Sequence, residues 1–192
     1  MGVLILGLVL FLGVHSVRIF ADPWRTAVIA RSGERLWKGA FAAASLAGFA
    51  VLIWGYGLAR HPAVVLWTPP VWARHVTALL VLIAFVLFAA AYVPRNALKA
   101  WLHHPMVLGV KTWAVAHLLA NGTLADWVLF VSFLAWSILS FRAARRRDRA
   151  AGTVYAAGTV AGTLAAIAAG AVAWVIFAIW LHGPLIGARP FG

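Results

Sequence analysis

The chain of 192 residues contains seven histidines and no cysteine. The histidines are His15, His61, His75, His103, His104, His117 and His182. His15 and His117 lie well inside long apolar runs, His75 lies one turn into another, and the remaining four fall at run ends. An ionisable group inside a hydrocarbon span is costly and marks a functional position by default. Neutral imidazole is a favoured axial ligand of haem iron, and one histidine from each of two helices can bind both faces. A mononuclear zinc site would need a third or fourth ligand at similar depth. The lack of cysteine removes thiolate metal sites, iron–sulfur clusters and Cys nucleophiles together. One alternative stays open: an intramembrane histidine can hydrogen-bond a neighbouring carbonyl and act as helix glue.

Around His117 the spacing says more. Trp113, His117 and Asn121 recur every fourth residue and so share one helix face. A ligand imidazole there would have an aromatic wall on one side and an orienting amide on the other. Asn121 also precedes Gly122, where an amide side chain would simply cap a helix end. The four acidic residues, Asp22, Glu34, Asp126 and Asp148, all lie in or beside predicted loops. No carboxylate pair is placed for acid–base work within a span, and no GxSxG, HExxH or P-loop pattern occurs. These observations argue against a hydrolase and an ATP-driven transporter. No Gly/Pro-broken helix pair repeats between the halves, which argues against a secondary transporter.

The elements that must position these side chains are membrane helices. Apolar residues make up 65% of the chain and charged residues 10%, whereas a soluble surface takes roughly 25% charged residues. A spanning helix needs about 20 apolar residues, and six runs qualify: Val3–Phe20, Ala40–Leu58, His75–Val93, Met106–Asn121, Leu124–Phe141 and Tyr155–Leu181. The expected fold is all-α, a polytopic bundle of about six transmembrane helices. The fourth and fifth, the shortest, form a helical hairpin about Asn121-Gly122-Thr123. Residues 1–149 form the main membrane domain, and 150–192 add an Ala/Gly-rich helix packed on the same bundle. In that helix Gly158, Gly162, Ala166 and Gly170 make a smooth stripe for close helix contact.

Charge sets the orientation. The net charge of +12 is concentrated in short clusters between apolar runs, the pattern of cytoplasmic loops and not of a nucleic-acid-binding face. The first loop holds Arg18, Arg25, Arg31, Arg35 and Lys38, the third Arg95 and Lys99 with Lys111 just beyond, and the fifth Arg142, Arg145, Arg146, Arg147 and Arg149. Only Arg60, Arg74 and Arg189 occupy the other side. The positive-inside rule then makes the odd loops cytoplasmic and both termini periplasmic, in a bacterial inner membrane. Met1–Phe20 has no basic leader and no small-x-small cleavage site directly after it, so it is expected to stay as the first span.

Several stretches resemble a known family. They are His15-Ser16 with Arg18, Gly33-Glu34-Arg35, Trp54-Gly55-Tyr56-Gly57 with Ala59-Arg60, and Leu66-Trp67 to Pro69-Pro70 with Trp72 and Arg74-His75. The longest runs from His104-Pro105-Met106 through Gly109-Val110-Lys111 and Trp113 to Ala116-His117-Leu118-Leu119-Ala120-Asn121-Gly122. Over roughly residues 10 to 149 the chain resembles the NnrU family, membrane proteins associated with nitrite and nitric oxide reduction. That family is in turn similar to 15-cis-zeta-carotene isomerase, a haem b membrane enzyme. Carried across residue by residue, the resemblance implies haem b with His15 and His117 as iron ligands. The isomerase has a cysteine three residues before its second histidine; this chain has Ala114, so a Cys/His ligand exchange is not open to it. The implied function is support of denitrification by redox or gas sensing or by assembly of a nitrogen-oxide reductase, with such a reductase or another membrane subunit as partner. Haem-dependent isomerisation of a polyene such as a carotenoid and a haem-free structural role are the alternatives, and whether the protein is an enzyme is left open.

Depth raises a conflict. On six spans His15 lies towards the cytoplasmic side and His117 towards the outside, an offset of about 10 Å along the normal at 1.5 Å per residue. By depth alone His75, at the outer end of the third span, pairs better with His117.

Overall fold

The computed structural model describes residues 1–191. Helices account for nearly all of it: α1 (Gly2–Phe20), α2 (Asp22–Ser32), α3 (Glu34–Ala59), α4 (Ala73–Tyr92), α5 (Ala97–Leu102), α6 (Pro105–Ala120), α7 (Leu124–Ala150), α8 (Val160–Ile176), a π turn (Phe177–Leu181) and α9 (His182–Ile186). Among the described residues five helical segments are long and apolar enough to cross a membrane, the last running through the π turn to Ile186; α6 is apolar but shorter. In lipid every backbone N–H and C=O must be satisfied within the chain, and helices do this segment by segment.

The expected all-α bundle with a fourth–fifth hairpin is the fold observed, with four departures. The Asp22–Ser32 stretch, assigned to a loop, is the helix α2, opened by Asp22 and Pro23 at its first turn. α5 is a further short helix, capped where the Asn96 side chain accepts from the Lys99 amide at 2.8 Å. The fifth predicted span does not stop at Phe141: α7 runs on to Ala150, because arginine is a good helix former and no Gly or Pro interrupts before Gly152. The last helix begins at Val160, not at Tyr155.

Neighbouring helices form a curved row, α3–α1–α7–α6–α4–α8. Glycine sets how closely they approach. A Cβ on Gly7 would lie 2.5 Å from the Leu52 backbone, and one on Gly55 would lie 2.5 Å from the Leu4 nitrogen, so α1 and α3 touch backbone to backbone. Gly158, Gly162 and Gly170 serve the same purpose against Ala97, Arg95 and Val86. The small-residue stripe of α8 is thus covered within the chain by α4 and the start of α5. At one end of the bundle the Asn121-Gly122 turn of the α6–α7 hairpin meets the α3–α4 loop: the Leu66 amide donates to Gly122 O at 2.8 Å and the Leu124 amide to Val64 O at 2.8 Å. Thr123 and Asp126 form a capping box there, and the Tyr56 hydroxyl donates to Asp126 at 2.5 Å, tying α3 to α7. The opposite end carries α2, α5 and the arginine-rich close of α7.

The α1–α3 seam makes a direct test. Gly55→Ala is expected to lower stability by about 1–3 kcal/mol through overpacking. Gly57→Ala, with nothing within 4 Å of the added Cβ, should be neutral or raise stability by up to about 1 kcal/mol. Denaturant unfolding of both variants in micelles reads the difference.

Candidate functional site

His15 lies on the last turn but one of α1. Its Nδ1 sits 2.7 Å from the Phe11 carbonyl oxygen. A carbonyl only accepts, so Nδ1 carries the proton and Nε2 presents a lone pair. His117 repeats this on α6, with Nδ1 donating to Trp113 O at 2.9 Å. Both imidazoles therefore have the tautomer and fixed ring orientation that a metal-ligating histidine needs. Around His15 stand Phe11 at 4.3 Å, Phe41 of α3 at 5.1 Å and Trp136 of α7 at 6.1 Å between ring centroids. Trp136 Nε1 is buried without a hydrogen-bond partner, a donor left free beside His15. Around His117 stand Trp113 at 5.1 Å and Phe130 at 4.8 Å.

The two histidines are not brought together. α1 and α6 flank α7, and a chain of rings links the imidazoles: Phe11 to Phe133 at 5.9 Å, then Phe133 to Trp113 at 5.4 Å. Along α7, His15 is level with Trp136 and His117 with Phe130. Six residues separate these levels, about 9 Å at 1.5 Å per residue, close to the offset expected from depth. His75 does not close the gap. Thr77 faces α6, donating to Ala116 O at 2.8 Å, and a residue two positions away points nearly opposite on a helix. His75 is exposed. Asn121 caps the helix, its Nδ2 donating to the His117 carbonyl at 2.9 Å without touching the imidazole.

One imidazole opens onto space. At the basic end a cavity of about 580 Å³ lies among α1, α2, α3, α6 and α7, with His15, Trp37 and Phe41 in its wall. That volume is within the range of small-molecule and cofactor sites, roughly 300–1,000 Å³. A free imidazole Nε2, an orphaned indole N–H nearby and aromatic walls suit a planar iron macrocycle. Among the described residues no three His, Cys, Asp or Glu side chains gather to hold a metal ion.

The cavity also exposes a cluster that sequence reasoning had not assembled. His104 Nε2 lies 2.7 Å from Asp148 Oδ2, which also accepts from the Tyr155 hydroxyl at 3.0 Å and faces Arg145 Nη1 at 3.4 Å. His103 stacks on Tyr155 with centroids 4.4 Å apart and accepts from Arg145. The clue was Asp148, the single acid amid five arginines in the close of α7. Burial, and then the Asp148 carboxylate, push the Tyr155 hydroxyl above its usual range.

The fold and this site define a polytopic helical membrane protein with shielded, ligand-ready imidazoles and a basic cavity at one membrane face. The family profile described as NnrU protein matches residues 3–190, and the chain belongs to that family. The match takes in the last helix as well as the stretches noted in the sequence. No curated protein and no solved structure matches the chain.

Tyr155 supplies a pH test. Its phenol should ionise above about 10, the ordinary tyrosine value, and Asp148→Asn should bring it down by removing the second of the two causes. A tyrosinate absorbance titration of the two proteins checks this.

Proposed function

We propose that this NnrU-family protein is a haem b protein of the bacterial inner membrane that supports denitrification, the reduction of nitrite and nitric oxide. The basic end faces the cytoplasm and both termini face the periplasm. The observation that carries the reading is His15: its Nδ1 proton is fixed on the Phe11 carbonyl, and its ring stands in the wall of the 580 Å³ cavity. The His15 Nε2 is the first candidate ligand. His117 is equally prepared but lies beyond Phe133 and Trp113, so the reading gives the iron to His15 first.

That separation favours a particular chemistry. A haem held by His15 alone would leave room for a small molecule to bind, and would supply redox chemistry and affinity for gases such as nitric oxide. What the chain contributes is one imidazole whose Nδ1 is fixed on a backbone carbonyl, and an aromatic enclosure. Sensing of nitric oxide or of redox state, passed to a reductase or its assembly, fits this arrangement.

Visible spectra of the detergent-purified protein test it. The wild type, supplemented with haem, is expected to show a b-type α band on reduction and to take up nitric oxide or carbon monoxide. His15→Ala should erase the band and His117→Ala should leave most of it. Loss in both variants would mean two ligands on one iron and displaced rings. No chromophore in the wild type would sink the haem reading.

A further inference from the structure

The mouth of the cavity carries more positive charge than its own carboxylates match. Arg18, Arg25, Lys38 and Arg147 line it together with Glu34 and Asp148. Both of these carboxylates are engaged: Glu34 takes Lys38 Nζ at 2.9 Å, and Asp148 takes His104 and Tyr155. Arg18 and Arg25 reach Asp22 at 3.9 and 3.7 Å, beyond hydrogen-bond length, and Arg25 also lies over the Trp37 ring, 5.8 Å from its centroid. The Arg147 guanidinium donates to the Arg18 carbonyl at 2.9 Å and, among the described residues, pairs with no carboxylate within salt-bridge distance. Two guanidiniums, from α1 and α2, thus share one loosely held carboxylate, and a third, from α7, lines the same space without one. Deeper in, the wall is His15, Phe41 and Val107.

We propose that this cavity binds an anionic amphiphile, with its apolar body against His15 and Phe41 and its acid group among Arg18, Arg25 and Arg147. Guanidinium groups bind carboxylate and phosphate oxygens in paired, charge-assisted hydrogen bonds, and an occupant with an acid head and an apolar body fits both halves of the wall. Two sources offer that chemistry. One is the pair of propionates on a haem; the other is the headgroup of an anionic phospholipid from the same leaflet. The inference goes beyond the haem reading and does not need it.

The test uses the full-length protein in detergent. Haem and haem dimethyl ester are titrated spectroscopically, and phosphatidylglycerol and phosphatidylcholine are compared by native mass spectrometry. The wild type is expected to prefer the acidic member of at least one pair by about tenfold or more, the ratio given by one charge-assisted hydrogen bond. A preference for haem over its ester assigns the site to propionates, and a preference for phosphatidylglycerol assigns it to a headgroup. Arg18→Gln and Arg25→Gln should each cut the preference severalfold, and Arg142→Gln, outside the cavity, should not. Arg147→Gln also removes a contact to α1, so Arg25→Gln is the variant that reads charge without that contact. Equal binding of acidic and neutral members, or a preference that survives Arg18→Gln and Arg25→Gln, or one lost equally in Arg142→Gln, would overturn the proposal. Phosphatidylglycerol held by the arginines in a protein that takes no haem would sustain it while ending the haem reading.

Discussion

With lipid around the bundle, hydrophobic burial does little to draw one helix to another, so everything rests on how closely the backbones approach at glycine. Gly7, Gly48 and Gly55 bring α1 against α3 until a single methyl group would collide with backbone. Gly170 does the same for α8 on α4 and Gly162 for α8 on the Pro94-Arg95 turn after it, and Gly109 admits the Phe88 ring between α6 and α4. Large aliphatic side chains are accordingly left facing outward, as with Leu46, Leu79 and Ile83. A soluble protein could not carry such a surface, but for lipid it is the matching one. The seams also fix the depth of every residue on α1 and α6, and so the positions of both candidate ligands.

The consequence for the site comes from α7. It is wedged between α1 and α6, and Phe133 touches a ring on each side. α7 therefore acts as a spacer: it surrounds both histidines with aromatic side chains and keeps them apart. Where α7 leaves the apolar zone it continues as an arginine-rich helix, and these turns meet α2 and the start of α6 around the cavity. One helix thus separates the two imidazoles and supplies part of the charge at the mouth beside one of them. The polar cluster of His103, His104, Arg145, Asp148 and Tyr155 pins this end, because Asp148 links α7 to the segment entering α6 and to the loop before α8.

Much of this was legible in the sequence, and what was not has physical reasons. Span positions follow from the length of apolar runs, so the six runs found their helices. Helix ends did not follow, because hydropathy marks where lipid stops and not where hydrogen bonding stops. That is why α7 runs past Phe141 and why α2, polar and opened by Asp22-Pro23, has the hydropathy of a loop. The alignment of Trp113, His117 and Asn121 on one face was correct as periodicity, yet Asn121 turned to its own helix backbone. The offset between His15 and His117 could be counted from rise per residue. The rings standing between them could not, since which neighbour a span chooses depends on the glycine seams of all the others. Likewise Arg18, Arg25 and Arg147 are far apart in sequence and become one site only because α1, α2 and α7 meet at the same end.

The helix-glue alternative can be weighed on this geometry. A histidine that holds helices together must direct its N–H, or its lone pair, at a partner on another helix. The N–H of His15 goes to Phe11 and that of His117 to Trp113, each four residues back on its own helix. Neither bond adds anything between helices, and neither imidazole uses its Nε2 within the chain. Interhelix polar contacts are made elsewhere, by Thr77 to Ala116 and by Tyr56 to Asp126. An imidazole whose proton is fixed locally and whose lone pair is left open inside a span is costly to keep as a packing device. Under the proposed haem reading the same arrangement would have a physical purpose, and the cavity in whose wall His15 stands is where the iron would be held.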